Sequence, residues 1–273
     1  MARAILFQPS SLCQPLFSIR AKFLNNSRQF HQLYSNSNLS SLKYTKKPQL
    51  IHISAQAKRA FSSSKKDEIA SPSDLQFTSP LKIIEYPDPI LRAPNKKIGE
   101  FDENLKRLVN EMFDIMYKTD GIGLAAPQVG INVRLMVFNP AGERGVGEEI
   151  VLVNPRISKF SRKLVLFEEG CLSFPEIYAD VERPESVKVD AQDITGAKFS
   201  ATLSALPARV FQHEFDHLQG TLFFDRMTEE VVDSIRAELQ ALEKKYEDAN
   251  GIPSPEKVDS SIGRREVAGF GRS

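Results

Sequence analysis

Charge divides this chain into two parts that cannot fold in the same way. The first 66 residues contain eleven Lys or Arg and no Asp or Glu, and the first acidic residue is Asp67. The rest of the chain holds 25 basic and 35 acidic residues. Only this second part shows the sustained apolar periodicity that a hydrophobic core needs. The folded domain is therefore expected after residue 66.

The acid-free first part has the composition of an organellar transit peptide, which is rich in Arg and Ser and poor in acids. A basic arm that binds nucleic acid is the alternative. The N-terminal position and the acidic body favour the transit peptide, since such a body offers no continuing basic surface. The chain has no run of 18 apolar residues, so no membrane span is expected. We predict a transit peptide over residues 1–66, with its cleavage point open.

The second part is expected to form one domain between two irregular segments. Residues 67–79 are rich in Ser and Pro and are predicted to be a linker, and the domain follows over residues 80–250. Residues 251–273 are polar, contain Gly and Pro, and are predicted to be disordered. No internal repeat is present.

Apolar spacing predicts the elements of this domain. The predicted helices cover residues 104–118, 204–220 and 228–248. The predicted strands cover residues 133–138, 150–154, 163–167, 186–191 and 199–203. Short strands without long helical crossovers favour antiparallel sheets. The predicted fold class is α+β: a single domain whose antiparallel sheets pack around the helix at 204–220, with a long C-terminal helix.

The stretch QHEFDH places two of the four histidines of the chain one helical turn apart. His213 and His217 share a helix face, and Glu214 lies within reach of both imidazoles. A buried helix is a costly place for these groups unless something such as a metal ion pairs with them. The pattern H-E-x-x-H is one in which two histidines bind a metal and the glutamate acts as general base. The alternative is an ordinary amphipathic helix with its histidines at the wet edge.

A third metal ligand has to come from elsewhere. Beyond residue 66 the only cysteine is Cys171, in the stretch EEGCLSFP. It cannot form an internal disulfide there, which fits a reducing compartment, and a lone cysteine is most often a small buried hydrophobe. A glycine-rich loop, GIGLAAPQVG, covers residues 121–130. It lacks the Lys and Ser/Thr of a phosphate-binding loop, and a plain turn is its alternative interpretation.

Taken together, GIGLAAPQ, EGCLS and QHEFDH resemble the three signature motifs of the peptide deformylase family, in the same order. The resemblance covers roughly residues 80–248 and is highly specific. The leading segment, the stretch FDRMTEE and the long last helix resemble the plant organellar form in particular. One departure is Glu176, which stands where the resemblance leads us to expect glycine.

The resemblance implies one divalent metal ion held by Cys171, His213 and His217, with water as the fourth ligand. It also implies that Glu214 takes a proton from that water and passes it to the leaving amine. Fe²⁺ is the implied working ion, for which Zn²⁺, Ni²⁺ or Co²⁺ can substitute. Asp216 lies either behind the ligands or in solvent, and the sequence leaves this open.

The remaining site residues also follow from the resemblance. The amide of Gln128 and the backbone N–H of Leu172 are the implied donors to the developing oxyanion. Gly123 is expected to hydrogen-bond the substrate backbone. Ile122 and Val210 are expected to line an apolar pocket for the methionine side chain.

The reaction that the resemblance implies is removal of the N-formyl group from the initiator formyl-methionine of nascent organelle-encoded polypeptides, with release of formate. We expect this in the chloroplast stroma, with the mitochondrion as a second destination, at the organellar ribosome and without direct nucleic-acid binding. The oligomeric state is open, and a homodimer is one option. The alternatives are a zinc peptidase of the H-E-x-x-H type and a non-catalytic metal-binding or ribosome-associated relative. The context of Cys171 argues against the first, and the presence of Glu214 argues against the second.

Overall fold

The computed structural model describes residues 68–261 of the 273-residue chain. The predicted transit peptide and the last twelve residues of the predicted tail lie outside this range. No helix within the described range is long and apolar enough to cross a membrane.

Antiparallel strands form two sheets in residues 68–261. The strands are β1 (Gly123–Ala125), β2 (Leu135–Phe138), β3 (Ile150–Phe160), β4 (Leu164–Cys171), β5 (Phe174–Pro184), β6 (Ser186–Gln192) and β7 (Lys198–Ser204). One sheet has the order β1-β2-β3-β6-β7, and β4 and β5 form a separate hairpin. All of these pairings are antiparallel, as predicted. β1 and β5 are additions to the strands that the sequence indicated.

All of the α-helices but the last occur where apolar periodicity predicts them, and the last lies in the tail that was predicted to be disordered. They are α1 (Glu103–Lys118), α2 (Ala205–His217), α3 (Glu229–Ser234), α4 (Arg236–Asn250) and the short α5 (Val258–Ser261). α1 begins where the Asp102 carboxylate accepts a hydrogen bond from the Leu105 N–H at 3.0 Å, which is a standard N-cap. Ser204 occupies the N-cap position of α2, but its side chain caps no N–H there.

α2 is the buried helix around which the domain is organised. It contacts β1, β2, β6 and β7 of the large sheet and β5 of the hairpin. Phe211 on this helix is fully buried and packs in one apolar cluster with Val189 of β6 and Met136 of β2. The predicted α+β class, with antiparallel sheets around this helix, is confirmed.

The predicted helix at residues 228–248 is two helices with a break at Ile235. The Ile235 N–H donates to the Val232 carbonyl at 3.2 Å, an i→i−3 bond that tightens and ends α3. The Leu239 N–H then donates to the Ile235 carbonyl at 3.1 Å, which continues the chain as α4. The long C-terminal helix is therefore bent into a short and a long segment.

Both segments that were expected to be irregular, the linker and the tail, carry side chains that pack against the domain. In this respect the structure differs from the prediction. In the expected linker, Ala70 and Leu75 are buried, and the Ala70 N–H donates to the Lys97 carbonyl at 2.7 Å. In the expected disordered tail, Val258 is buried and its N–H donates to Glu243 Oε1 at 2.7 Å. Isolated apolar residues in polar surroundings gave no periodic signal from which this packing was predictable.

Candidate metal centre

α2 presents both of its histidines from one side, with ring centroids 5.2 Å apart. His213 and His217 are buried, because this helix packs between the large sheet and the hairpin. The His213 Nδ1–H donates to Glu169 Oε2 at 2.9 Å, which leaves Nε2 facing the other ligands. His217 turns its Nε2 the same way, and its Nδ1 has no hydrogen-bond partner within residues 68–261.

The last residue of β4 brings a thiol to these imidazoles. Cys171 Sγ lies 3.3 Å from His217 Nε2, and the ligand atoms of Cys171, His213 and His217 all lie within 4.8 Å of one another. Sulfur and imidazole nitrogen are the donors that bind zinc and other late first-row metals. The structure thus brings together the three residues that the sequence predicted as ligands, and their atoms fit one divalent ion.

Glu214 lies beside the ligands on the same helix. It is buried, and its Oε2 atom has no hydrogen-bond partner in the described part of the chain. Burial raises the pKa of Glu214 to about 7, because the charged carboxylate loses its hydration. A carboxylate with a pKa near neutrality is suited to accepting and returning a proton.

The backbone of β1 passes so close to α2 at position 123 that a glycine is needed there. A β-carbon there would lie 2.5 Å from Glu214 Oε1 and 2.6 Å from Val210 Cγ1, closer than such contacts occur. Only glycine lets β1 pass this close to α2. Gly123, Val210 and Glu214 therefore meet at one point, while the half-buried Ile122 precedes Gly123 and packs at the edge of the same apolar cluster.

Gln128 directs its amide nitrogen toward the ligands. Its Oε1 accepts a hydrogen bond from the Ala125 N–H at 2.8 Å, which fixes the amide orientation. Its Nε2 donates to Ser173 Oγ at 3.3 Å and lies 3.5 Å from Cys171 Sγ. Leu172 lies in the turn that joins β4 to β5, directly after Cys171.

A buried ionic network, here called the site cluster, lies behind the histidines and was not predicted. It consists of Glu169, Arg183, Arg209, Asp216 and Arg226. Glu169 accepts hydrogen bonds from Arg183 Nε at 2.6 Å and from Arg209 Nη1 at 2.9 Å. Burial favours the neutral acid, but the charge of Arg183 and the bonds to it and to His213 outweigh burial and hold the pKa of Glu169 below its usual range.

The same network decides the position of Asp216, which the sequence left open. Asp216 is buried and accepts from Arg183 Nη1 at 2.6 Å and from Arg226 Nε at 3.0 Å. It therefore lies behind the ligands and not in solvent. Arg183 has no exposed surface and joins the two carboxylates, one of which holds His213.

Glu176, which stands where the resemblance led us to expect glycine, has a backbone conformation that favours glycine. Its φ is +63°, in the left-handed region, and its side chain is exposed on β5. A residue with a β-carbon pays about 1–2 kcal/mol for this conformation. The strand beside Cys171 therefore has the shape that glycine would allow, at a local energetic cost.

A thiol and two imidazoles that converge beside a buried carboxylate define a metal-dependent hydrolase. The family model described as "Polypeptide deformylase" matches residues 80–232. Peptide deformylase 1B, chloroplastic, from Solanum lycopersicum is 62% identical over 261 residues, which are 95% of this chain and 94% of that protein. Peptide deformylase 1B, chloroplastic/mitochondrial, from Arabidopsis thaliana is 60% identical over 263 residues, 96% of this chain and 95% of that protein.

Solved structures agree. A crystal structure of plant peptide deformylase PDF1B superposes with a TM-score of 0.66 at 74% identity, covering 67% of this chain and 99% of that one. Peptide deformylase from Plasmodium falciparum superposes with a TM-score of 0.60 at 46% identity, covering 62% and 99%.

This chain belongs to the peptide deformylase family. It is a hydrolase that removes an N-formyl group, and this match argues against both the zinc peptidase and the non-catalytic relative. The names of the plant relatives place them in the chloroplast, which confirms the expected destination.

Proposed function

We propose that Cys171, His213 and His217 hold one divalent metal ion, at which this enzyme deformylates the initiator methionine of nascent chains. The observation that supports the proposal is the convergence of the three ligand atoms within 4.8 Å, directly beside Glu214. When bound, the ion supplies Lewis acidity, which polarises a carbonyl group and acidifies water near neutral pH.

Glu214 moves the proton in the proposed reaction. Its unpaired Oε2 is free to accept a proton from water, and its pKa of about 7 matches that task near neutrality. As the water gives up this proton, its oxygen bonds to the formyl carbon. The same carboxyl group then gives the proton to the amine, which leaves as the formyl C–N bond breaks and formate is released. General acid–base catalysis of this kind contributes about 10²–10⁴-fold in rate.

Donors beside the ligands stabilise the negative charge that develops on the formyl oxygen. Gln128 Nε2 is held in place through the bond from the Ala125 N–H to its Oε1, so little reorganisation is needed during the reaction. The backbone N–H of Leu172 is the second proposed donor, because it follows Cys171 directly in the turn.

The substrate backbone pairs with β1 at Gly123. β1 is an edge strand, bonded only to β2 within the large sheet, so its other side is available for an extended peptide. Ile122 and Val210 flank this position, and we assign them to the apolar wall that receives the methionine side chain.

We infer Fe²⁺ as the working ion. Thiolate and imidazole ligands also accept Zn²⁺, Ni²⁺ or Co²⁺, so the donor set alone does not select iron. The test is to reconstitute the apo-enzyme with each of the four ions and to compare kcat/KM before and after exposure to air. Iron is supported by high activity that air destroys while Ni²⁺ or Co²⁺ enzyme persists. Equal, air-stable rates with zinc and iron contradict it.

The proposed setting is the organellar ribosome in the chloroplast stroma, with the mitochondrion as a second destination. The acid-free first 66 residues support import, and the relative from Arabidopsis thaliana is named for both organelles. A reporter fused behind these residues is expected to enter chloroplasts, and its retention in the cytosol contradicts the proposal.

Formate release from formyl-Met-Ala-Ser tests the reaction, with the unblocked peptide as the control substrate. Cys171→Ala, His213→Ala and His217→Ala are each expected to lose stoichiometric metal and activity together. Glu214→Ala is expected to keep metal and fold but to lose about 10²–10⁴-fold in kcat. Full metal occupancy in one of the three alanine variants would show that the replaced residue is not a ligand. A normal kcat in metal-loaded Glu214→Ala would show that Glu214 is not the general base.

A further inference from the structure

Positive charge is concentrated on the outward face of the large sheet. Six exposed cations of β3, β6, β7 and the turn after β3 form what is here called the basic face: Arg156, Lys159, Arg162, Lys163, Lys188 and Lys198. They are spread over more than 40 positions of a sequence segment that also contains many acids. Only the antiparallel pairing of the three strands brings them together.

Strand register shows how close these cations lie. Lys159 of β3 stands directly opposite Lys188 of β6, and Lys188 stands opposite Thr202 of β7. Opposed residues have β-carbons about 4.5–5.5 Å apart, and like charges in such a pair destabilise a sheet. The next outward row pairs Arg156 with Asp190. A bound polyanion would relieve this repulsion.

Internal acids compensate only part of this charge. Lys163 pairs with Glu185 at 2.6 Å, and Asp190 is hydrogen-bonded by Ser200. Lys159, Arg162, Lys188 and Lys198 form no ion pair within residues 68–261. This surface is therefore positive although residues 67–273 carry an excess of acids.

The basic face points away from the metal centre. Along β6, the exposed Lys188 and Asp190 alternate with Val187, Val189 and Ala191, which are buried in the cluster that contains α2. A polyanion bound to the outward face thus leaves the side of the sheet that carries the metal centre free to bind a peptide. The face also carries hydroxyl groups such as Thr202. The exposed large hydrophobic residue nearest to it in sequence is Leu164, which follows Lys163 at the start of β4.

The residue types on the basic face indicate which kind of polyanion it binds. Peripheral membrane binding uses apolar side chains that enter the lipid in addition to cations. The outward residues of β3, β6 and β7 include no exposed large apolar side chain, and only Leu164 at the edge of the face is of this kind. Readout of single-stranded bases uses aromatic stacking, which the face also lacks. Cations and hydroxyl groups on a flat surface suit the phosphates of a structured RNA, which proteins bind by shape and backbone.

We propose that the basic face docks the enzyme on the phosphate backbone of structured RNA. The proposal rests on the proposed function, because a nascent formyl-methionyl chain emerges from an RNA-rich particle. It reverses the expectation of no nucleic-acid binding, which was drawn from the overall acidic charge of the body.

Salt dependence gives the expected size of the effect. Each phosphate neutralised by Lys or Arg contributes about −0.9 to the slope of log K against log salt in a duplex. Four cations without internal partners therefore contribute a slope of roughly −3 to −4. Binding is expected to weaken about 10²-fold between 50 and 200 mM salt.

The test uses the full-length, metal-loaded enzyme and a labelled RNA duplex of roughly 20 base pairs, longer than the span of a small RNA-binding domain. The variant is Lys159→Gln/Arg162→Gln/Lys188→Gln. The matched control is Lys82→Gln/Lys106→Gln/Lys244→Gln, which removes the same charge from exposed positions off the basic face. Both variants share the leading basic segment, so its contribution to RNA binding cancels.

We expect the first variant to lose at least tenfold in duplex affinity and about 3 units of salt slope, with the control close to wild type. Both are expected to release formate from formyl-Met-Ala-Ser at the wild-type rate. An equal loss in the control, or no loss in the first variant, overturns the proposal. A second experiment measures binding to phosphatidylglycerol vesicles. If the first variant loses binding to the vesicles but not to the duplex, the RNA proposal is overturned in favour of a membrane surface. If the wild-type enzyme releases no formate from formyl-Met-Ala-Ser, the proposed function is refuted, whatever the RNA binding.

Discussion

Two groups of internal charge hold this domain together, and they differ in how completely they exclude water. The site cluster lies behind the metal ligands, and its central residue, Arg183, has no exposed surface. It links β4, β5 and α2 by way of Glu169 and Asp216. Each carboxylate in it accepts from two arginines, so no charge in it lacks a partner.

The second group, here called the terminal clasp, joins residues 86–92 to the C-terminal part of the described chain. It consists of Tyr86, Arg92, Asp225, Glu243 and Glu256. The Tyr86 hydroxyl donates to Glu243 Oε1 at 2.8 Å, and the Arg92 Nε donates to Glu256 Oε2 at 3.0 Å. Its Glu243 side is buried, but the side chains of Arg92 and Glu256 are 31% and 23% exposed.

The difference teaches what each group contributes. Removal of one partner from a fully buried network leaves an uncompensated charge, which costs about 3–5 kcal/mol. A half-exposed pair is screened by water and salt and contributes about 0–1 kcal/mol. The site cluster is therefore expected to govern both stability and ligand geometry, whereas the clasp governs only the attachment of the chain ends.

The largest effect is expected from Arg183→Met. This change leaves Glu169 and Asp216 each with one arginine fewer in a buried position. The free energy of unfolding is expected to fall by about 3–5 kcal/mol, measured by urea denaturation of the metal-loaded enzyme. Arg162→Met, at an exposed position, is the control and should stay within about 0.5 kcal/mol. A loss below 1 kcal/mol for Arg183→Met would remove the contrast between the two groups.

Glu169→Gln tests whether the site cluster orients a ligand. Glutamine keeps the shape but weakens the bond from the His213 Nδ1–H, so metal affinity is expected to fall about 10–100-fold. Competition with a chelator measures this affinity, and circular dichroism checks that the fold is retained. Glu168→Gln, the exposed neighbour on β4, is the control and should bind metal normally. Unchanged metal affinity in Glu169→Gln would show that the site cluster stabilises the fold but does not orient His213.

Glu243→Gln tests the buried side of the clasp. One oxygen of Glu243 accepts from both the Tyr86 hydroxyl and the Val258 N–H, so loss of its charge is expected to cost about 1–2 kcal/mol. The kcat/KM for a short formyl-peptide is expected to stay at the wild-type value, because none of the proposed site residues belongs to the clasp. Glu238→Gln, exposed on α4, is the matched control. A fall in activity would show that the clasp reaches the site.

The smallest effect is expected at the exposed side of the clasp. Glu256→Gln weakens its pair with Arg92 and is expected to cost no more than about 1 kcal/mol at low salt. Because the pair is partly exposed, this cost should shrink further as salt is raised. Urea denaturation at two ionic strengths measures both values. A large, salt-independent loss would mean that this side is as dry as the site cluster.

The ligands were predictable from sequence because few residue types can bind a metal. Beyond residue 66 the chain has one cysteine and two histidines, and all three lie in recognisable motifs. The site cluster was not predictable, because β5 was not predicted. Proline at both of its ends and charges between them hid an alternation, Ile177, Ala179 and Val181, that places Arg183 on the buried side.

The five strands that were predicted are right in position but not in length, and β3 shows why. It was expected to end at Asn154 but continues to Phe160. The pairing of β3 with β6 shifts register between Val153 and Arg156, and Asn154 there has a φ of +52°. Pro155 inside this bulge reads in the sequence as a strand end, since proline is tolerated in strands chiefly at edges and bulges.

The first described residues limit where the predicted transit peptide could be cleaved. Ala70 is bonded to Lys97, the Lys97 N–H donates to the Glu68 carbonyl at 2.8 Å, and Leu75 is buried under α1 in the same apolar cluster. A protease that cut after Leu75 would expose core surface and leave the Lys97 backbone without both partners. The folded domain itself thus sets the latest position at which the predicted transit peptide could be cut off.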